Sequence, residues 1–233
     1  MNYIILNGKK STYVQGLLIQ SLPPITKPTI RTEIEEIDGR DGDIVTKLGY
    51  EAYDREVLIG LYGNYDIDEV IRYFNSEGVS TFSNEPYKYY RYQILDEIEF
   101  DKLIRFRKAT VVFHVQPFKF STVEPMREYN TSGVQQIEVQ NTGNCKSKPI
   151  ITIYGSGTIN LSLNDAQVFV INMGNEGHIT INVEEQEATK DNVLKNRLII
   201  GNYDNFMLNI GVNRITWTGS VTKIEIENYS RWI

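Results

Sequence analysis

Cysteine and histidine are nearly absent from these 233 residues: Cys145 stands alone, and His114 and His178 are the only histidines. One cysteine forms no intrachain disulfide, and three such ligands do not complete the tetrahedral set of a Cys/His zinc site. Positive charge is also in deficit, with 24 Lys and Arg against 30 Asp and Glu for a net charge of −6. That balance opposes phosphate-backbone binding as a primary function. No stretch approaches the ~18–20 continuous apolar residues that span a bilayer, so no membrane partner is expected. The apolar run Tyr3–Leu6 has no basic residue before it and Lys9 and Lys10 after it, so it is not read as a secretion signal. The whole chain is 41% apolar and 23% charged, the balance of a globular chain long enough to bury its own core.

The usual signatures of chemistry are missing too. Gly155-Ser156-Gly157 has no following helix and no lysine at phosphate-loop spacing, and reads as a turn between strands. No Gly-x-Ser-x-Gly elbow occurs. His114 and His178 lie in β-like segments and read as structural. Asp38, Asp41 and Asp43 crowd one turn, but Arg40 and Gly42 interrupt them and calcium-loop spacing is lacking; they read as a solvated tip. Tyr87-Lys88-Tyr89-Tyr90-Arg91-Tyr92 interleaves rings with cations, as platforms for single-stranded nucleic acid do. The acidic balance favours a tyrosine-rich strand instead. No catalytic residue, metal or cofactor is assigned, and the chain is not read as an enzyme.

Composition shifts near residues 121–133. Eleven of the 15 tyrosines lie in residues 1–121, whereas 15 asparagines follow residue 121 and only five precede it. Residues 122–133 are polar and aperiodic, with Pro125 and Gly133, and read as a linker between domains 1–121 and 134–233.

The first half opens on Asn7-Gly8, which suits a type I′ hairpin turn between Tyr3–Leu6 and Ser11–Val14. Pro23, Pro24 and Pro28 forbid interior strand pairing nearby. Two β-like runs follow, Thr29–Ile37 and Asp43–Gly60, around the turn-rich tip Asp38–Gly42, predicting a long two-stranded arm. One helix is expected over Asp66–Glu77, with Asp66 and Glu69 as a capping box, Gly78 as its stop and a stripe of Ile67, Val70, Ile71 and Phe74. Tyr87–Leu95, Glu97–Ile104 and Ala109–Gln116 read as strands. The second half shows only short β-branched or alternating runs: Val134–Val139, Pro149–Tyr154, Thr158–Leu163, Gln167–Ile171, His178–Val183, Leu198–Ile200, Phe206–Ile210, Arg214–Thr218 and Val221–Ile226. Their spacing predicts an antiparallel sandwich or jelly roll. The fold class is mainly β.

In order and spacing these features resemble the distal tail (Dit) proteins of long non-contractile-tailed bacteriophages, the siphovirus tail component family. The matching segments are the N-terminal hairpin, Ile37-Asp38-Gly39-Arg40-Asp41-Gly42 at an arm tip, Tyr50–Leu58, the helix, Tyr87–Leu95 and the run ending Phe113-His114-Val115-Gln116-Pro117-Phe118. Beyond the linker, Val139–Asn144 and Lys148–Gly157 are similar to the start of the family's C-terminal sandwich. The resemblance covers nearly the whole chain.

It implies a tail-tube-like N-terminal belt domain with one helix and an arm, a galectin-like C-terminal sandwich, and a homo-hexameric ring. Such a ring, in virion or prophage, joins the tail tube protein to tail-tip, tail-associated and receptor-binding proteins and lets DNA pass unbound. It is assembled in the host cytoplasm. An arm that leaves its backbone edges open needs a neighbour, and ring closure follows if it lies on the next copy. Ile34, Ile37, Tyr50, Tyr53 and Val57, with Asp38, Gly39 and Arg40 at the tip, are expected at that contact. Net negative charge suits a DNA conduit. The alternative is a carbohydrate-binding module for host cell-wall glycan, with Arg214 and Trp217 as the contact residues.

Overall fold

A computed structural model describes residues 1–233 and is mainly β. The chain divides into two compact units, Met1–Thr122 together with Ile233, and Val123–Trp232. No helix is long and apolar enough to cross a membrane.

The first unit contains β1 (Ile4–Leu6), β2 (Lys9–Lys10), β3 (Leu17–Ser21), β4 (Ile30–Glu36), β5 (Asp43–Tyr50), β6 (Tyr53–Leu61), α1 (Ile67–Phe74), β7 (Gly78–Phe82), β8 (Lys88–Gln93), α2 (Phe100–Phe106) and β9 (Lys108–Ser121). Its main sheet is antiparallel in the order β2-β1-β7-β8-β9-β6-β3. Asn7 and Gly8 take φ of 48° and 84°, the positive values that the tight hairpin demands. The return strand is only Lys9–Lys10, because Ser11 accepts the Ile4 amide through Oγ at 3.2 Å and begins a 3₁₀ turn.

α1 is shorter than its periodic pattern. Asp66 caps it, accepting the Asp68 and Glu69 amides at 3.0 and 3.2 Å, but Glu69 pairs with Lys9 at 2.9 Å instead of closing a capping box. Gly78 opens β7 and does not end the helix. Val70, Tyr73 and Phe74 are buried against the sheet. Asp66→Ala is expected to lower the first unit's stability by about 1 kcal/mol, read as faster amide exchange along α1.

The expected strand Glu97–Ile104 is instead the second helix, α2, held to the sheet by the fully buried Leu103. One helix was thus one too few. The apolar residues of this segment, Ile98, Phe100, Leu103 and Ile104, fit period two poorly. The tyrosine-rich strand β8 is central, and Tyr90 and Tyr92 point into the core, while the half-buried Tyr89 stacks on Phe120 of the neighbouring strand at 5.5 Å.

The second unit contains β10 (Arg127–Asn130), β11 (Gln136–Asn141), β12 (Ile150–Leu163), β13 (Ala166–Gly174), β14 (His178–Asn182), β15 (Glu187–Lys190), β16 (Val193–Leu194), β17 (Ile199–Gly201) and β18 (Gly211–Glu227). Two long strands organise it. The first half of β12 lies between β14 and the last part of β18, which also pairs with β10. Beyond the bend, β12 pairs with β13 and with the first part of β18, which carries β11 on its other edge. Both strands therefore run through two layers, changing layer at irregularities as sandwich corners do, and both layers feed one core including Ile151, Ile153, Ile159, Leu161, Ile215 and Trp217.

Gly155-Ser156-Gly157 lies at that bend inside β12 and is not a turn between strands. A Cβ on Gly155 would stand 2.1 Å from the Ser220 carbonyl oxygen, so glycine permits the close crossing. Arg214–Thr218 and Val221–Ile226 are likewise one strand, kinked at Gly219 with φ of 98°. Phe206–Ile210 is no strand: Leu208 makes a single bridge to Ser147. The segment read as a linker contributes β10 to the second unit.

Candidate functional site: an exposed two-stranded arm

β4 and β5 pair only with each other, from Ile30 opposite Tyr50 to Glu36 opposite Asp43. Both outer edges of this ribbon are unpaired, and nearly all of its residues are exposed. Two strands alone are marginally stable in water, and open edges invite further pairing. The ribbon also shows apolar side chains to solvent: Ile34 is 59%, Val45 55%, Leu48 56% and Ile37 43% exposed. At the tip, Gly39 and Gly42 take φ of 82° and 78°, and the Arg40 amide donates to the Ile37 carbonyl at 3.1 Å.

The expected contact residues separate along this geometry. Ile34, Ile37, Asp38, Gly39 and Arg40 are on the exposed ribbon or tip. Tyr50 is half-buried at the root, its ring edge-on to Phe118 at 5.6 Å. Tyr53 packs against its own domain's core with its hydroxyl buried. Val57 is fully buried in that core and is unavailable to a neighbour. The cause is a chain break: Asp43–Gly60 is not one strand, because β5 ends at Tyr50 and the chain re-enters the main sheet as β6, pairing Tyr53 with Val115. Val45 and Leu48 take the place of Tyr53 and Val57 on the exposed surface. The first alternates with the half-buried Ile44; Leu48 sits at the bulge near Arg31, outside any period-two pattern.

The root of the arm is clamped from inside the domain. Arg55, 2% exposed, lies between the rings of Phe82 and Tyr90 at 4.7 and 4.5 Å. Its guanidinium donates to the carbonyls of Pro23 and Pro24 at 3.4 and 3.2 Å and approaches Glu85 at 3.5 Å, while Asn84 also donates to Pro23 at 2.9 Å. The segment entering the arm is thereby tied to β6, the strand leaving it. Glu85 is the cluster's one counter-charge: Lys119 donates to it at 3.0 Å, Lys88 approaches it at 3.8 Å, and the Tyr90 hydroxyl donates to it as well. Burial pushes the Glu85 carboxyl up, but hydrogen bonds from Tyr90 and Lys119 and the charges of Lys119 and Arg55 outweigh it and hold the group below the usual carboxylate range. Burial raises the Tyr90 hydroxyl well above its ordinary range, so it stays a donor.

Elsewhere, chemistry-bearing groups are occupied structurally. His114 meets Asp54 at 2.8 Å and His178 meets Asp191 at 3.5 Å, with no serine or cysteine hydrogen-bonded to either ring. Cys145 donates to the Arg231 carbonyl at 3.3 Å, and burial raises its thiol above the ordinary value. The second unit has an open cleft of about 880 Å³, lined by Gln135, Gln136, Asn160, Ser162, Thr216 and Thr218, among others. Trp217 also lines it but is only 4% exposed, which leaves no ring face for stacking. Arg214 is bound to Asp165 and the Asn164 side chain and does not line the cleft.

No family model matches the sequence, and no curated protein matches it. Among solved structures, the chain is similar to the SPP1 Dit protein, described as a paradigm of the hub adsorption apparatus in phages infecting Gram-positive bacteria. The match has 19% identity and a TM-score of 0.69 and covers 100% of both chains. It is also similar to a chain of the phage P2 baseplate in its activated conformation with Ca, at 10% identity and a TM-score of 0.51, over 100% of this chain and 98% of that one. The whole chain, arm and sandwich included, therefore has a Dit-like fold.

Proposed function

We propose that this chain, having the fold of a phage tail hub protein, is itself a non-enzymatic structural component of a phage tail tip. Its copies close into a ring of six, the number that the resemblance implies, between tail tube and adsorption apparatus, with DNA passing through the centre. The observation that carries this reading is the ribbon β4–β5, which has two open edges and exposed Ile34, Val45 and Leu48. A monomer leaves that surface in water; a second copy covers it. Head-to-tail contacts of this kind form a ring when the rotation closes.

Native mass spectrometry of the full chain tests it, beside a variant in which residues 31–49 are replaced by a short Gly-Ser turn. The intact chain is expected to assemble and the armless variant to stay monomeric, with unchanged amide protection in β6 and β9. A wild-type monomer at every concentration overturns the reading. Recognition of cell-wall glycan is a second reading, supported by the cleft of amides and hydroxyls in the second unit.

A further inference from the structure

The arm carries an unanswered charge pattern. Glu36 stands directly opposite Asp43, two residues beyond the Ile34–Val45 pair on the same face of the ribbon. Like charges directly opposed destabilise a strand pair. Neither carboxylate has a cation within ion-pair distance in the chain. Thr32 and Lys47 begin this face at its root end, and the part nearer the tip, two apolar side chains followed by two carboxylates, is complementary to a surface with exposed apolar groups beside unpaired cations.

The first unit has one at its other end. From Ile104 to Lys108 five consecutive residues are exposed, with Ile104 at 40% and Phe106 at 58%. Arg105 lies 5.4 Å from the Phe106 ring centroid, and Arg107 lies over the Tyr65 ring at 4.7 Å. Arg105, Arg107 and Lys108 have no carboxylate partner, whereas Lys102, one turn earlier, is paired with Glu99. Arg107 occupies the left-handed position after α2 with φ of 58°, where glycine is the usual residue. A side chain is kept there despite its conformational cost.

Location decides which copy meets which. The arm enters the main sheet at Tyr53, opposite Val115, while Lys108 lies opposite Gly60 at the far end of the same strand pair. Seven residues of strand separate the two ends by about 24 Å. The root of the arm and the acceptor surface thus sit at opposite ends of this strand pair, an arrangement that suits a head-to-tail contact.

Resting on the ring reading above, we propose that the Ile34–Val45 and Glu36–Asp43 face of one copy's arm docks on the Ile104–Lys108 surface of the next copy. The apolar pair covers Phe106 and Ile104, and the carboxylates meet Arg105, Arg107 and Lys108.

Reciprocal charge reversal on the full chain tests this by native mass spectrometry and sedimentation. Arg105→Glu with Arg107→Glu is expected to weaken assembly by about tenfold or more, and Glu36→Lys with Asp43→Lys to do the same. Mixing the two variants places reversed arms on reversed surfaces at alternate contacts, and one chain carrying all four substitutions restores every contact; assembly by that chain is the expected result. Amide exchange in β6 and β9 shows that each variant is folded. If reversal at Arg105 and Arg107 leaves assembly intact while arm removal abolishes it, the docking surface is wrong and the ring reading stands. If the fourfold variant fails to assemble, the pairing is wrong. If the armless chain still assembles, both fall.

Discussion

Glu85→Gln is expected to destabilise the first unit by about 3–5 kcal/mol, because it removes the only carboxylate from a buried cluster and leaves Arg55 and Lys119 uncompensated. Arg55 is 2% and Lys119 2% exposed, so neither cation has water to fall back on. The substitution keeps the side chain's size, which assigns the loss to charge and not to a cavity. Amide exchange in β6 and β9 measures it locally, which suits a chain of two units better than one global unfolding curve. The pH profile gives an independent reading. The folded carboxyl is held below its unfolded value, so its stabilisation is complete above about 4.3 and is lost as pH falls through the lower folded value. Wild type is expected to lose protection in that acid window through this group, and Glu85→Gln to lack that component. A fully stable Glu85→Gln variant would mean that the cluster is not what holds the arm's root. Since Arg55 ties Pro23 and Pro24 to β6, the same variant is also expected to loosen the arm's attachment before the rest of the sheet.

Trp217→Ala is expected to cost about 3–5 kcal/mol in the second unit through the cavity it leaves. The side chain is 4% exposed and belongs to the core cluster with Leu161 and Ile215. Amide exchange along β12 and β18 measures the loss; near-wild-type protection would show that the ring does not support the core. The consequence for the glycan reading is practical. Loss of sugar binding in this variant would report unfolding, so Asn160→Ala and Gln167→Ala, half-buried and exposed residues of the cleft's lining, are the variants that discriminate recognition from scaffold.

Several structural features were legible in short stretches of sequence. Asn7-Gly8 specified a hairpin, Asp66 a helix start, and Asp38–Gly42 the tip of a ribbon, because each acts within a few residues through backbone angles or one hydrogen bond. The β-rich second half followed from its alternating runs. Errors cluster where a decision is made at a distance. Glu51-Ala52 interrupts a continuous β-like run only because β6 is captured by β9 and β3, and that capture moved Val57 from the arm to the core. Gly155-Ser156-Gly157 reads as a turn, and Arg214–Thr218 and Val221–Ile226 as separate runs, because glycine marks both a turn and a bend, and only the crossing of β12 and β18 distinguishes them.

By itself, then, the amino-acid order determined the class of fold, the presence of the arm and the absence of metal-binding or nucleophile motifs, since these depend on local conformational preference and on which residue types are available at all. Which side chains the arm leaves in water, which carboxylate neutralises Arg55, and where cations wait without partners were decided by tertiary structure alone. Burial and charge pairing join residues tens of positions apart, and no local pattern encodes which of several equivalent tyrosines, valines or glutamates the folded sheet will bring together.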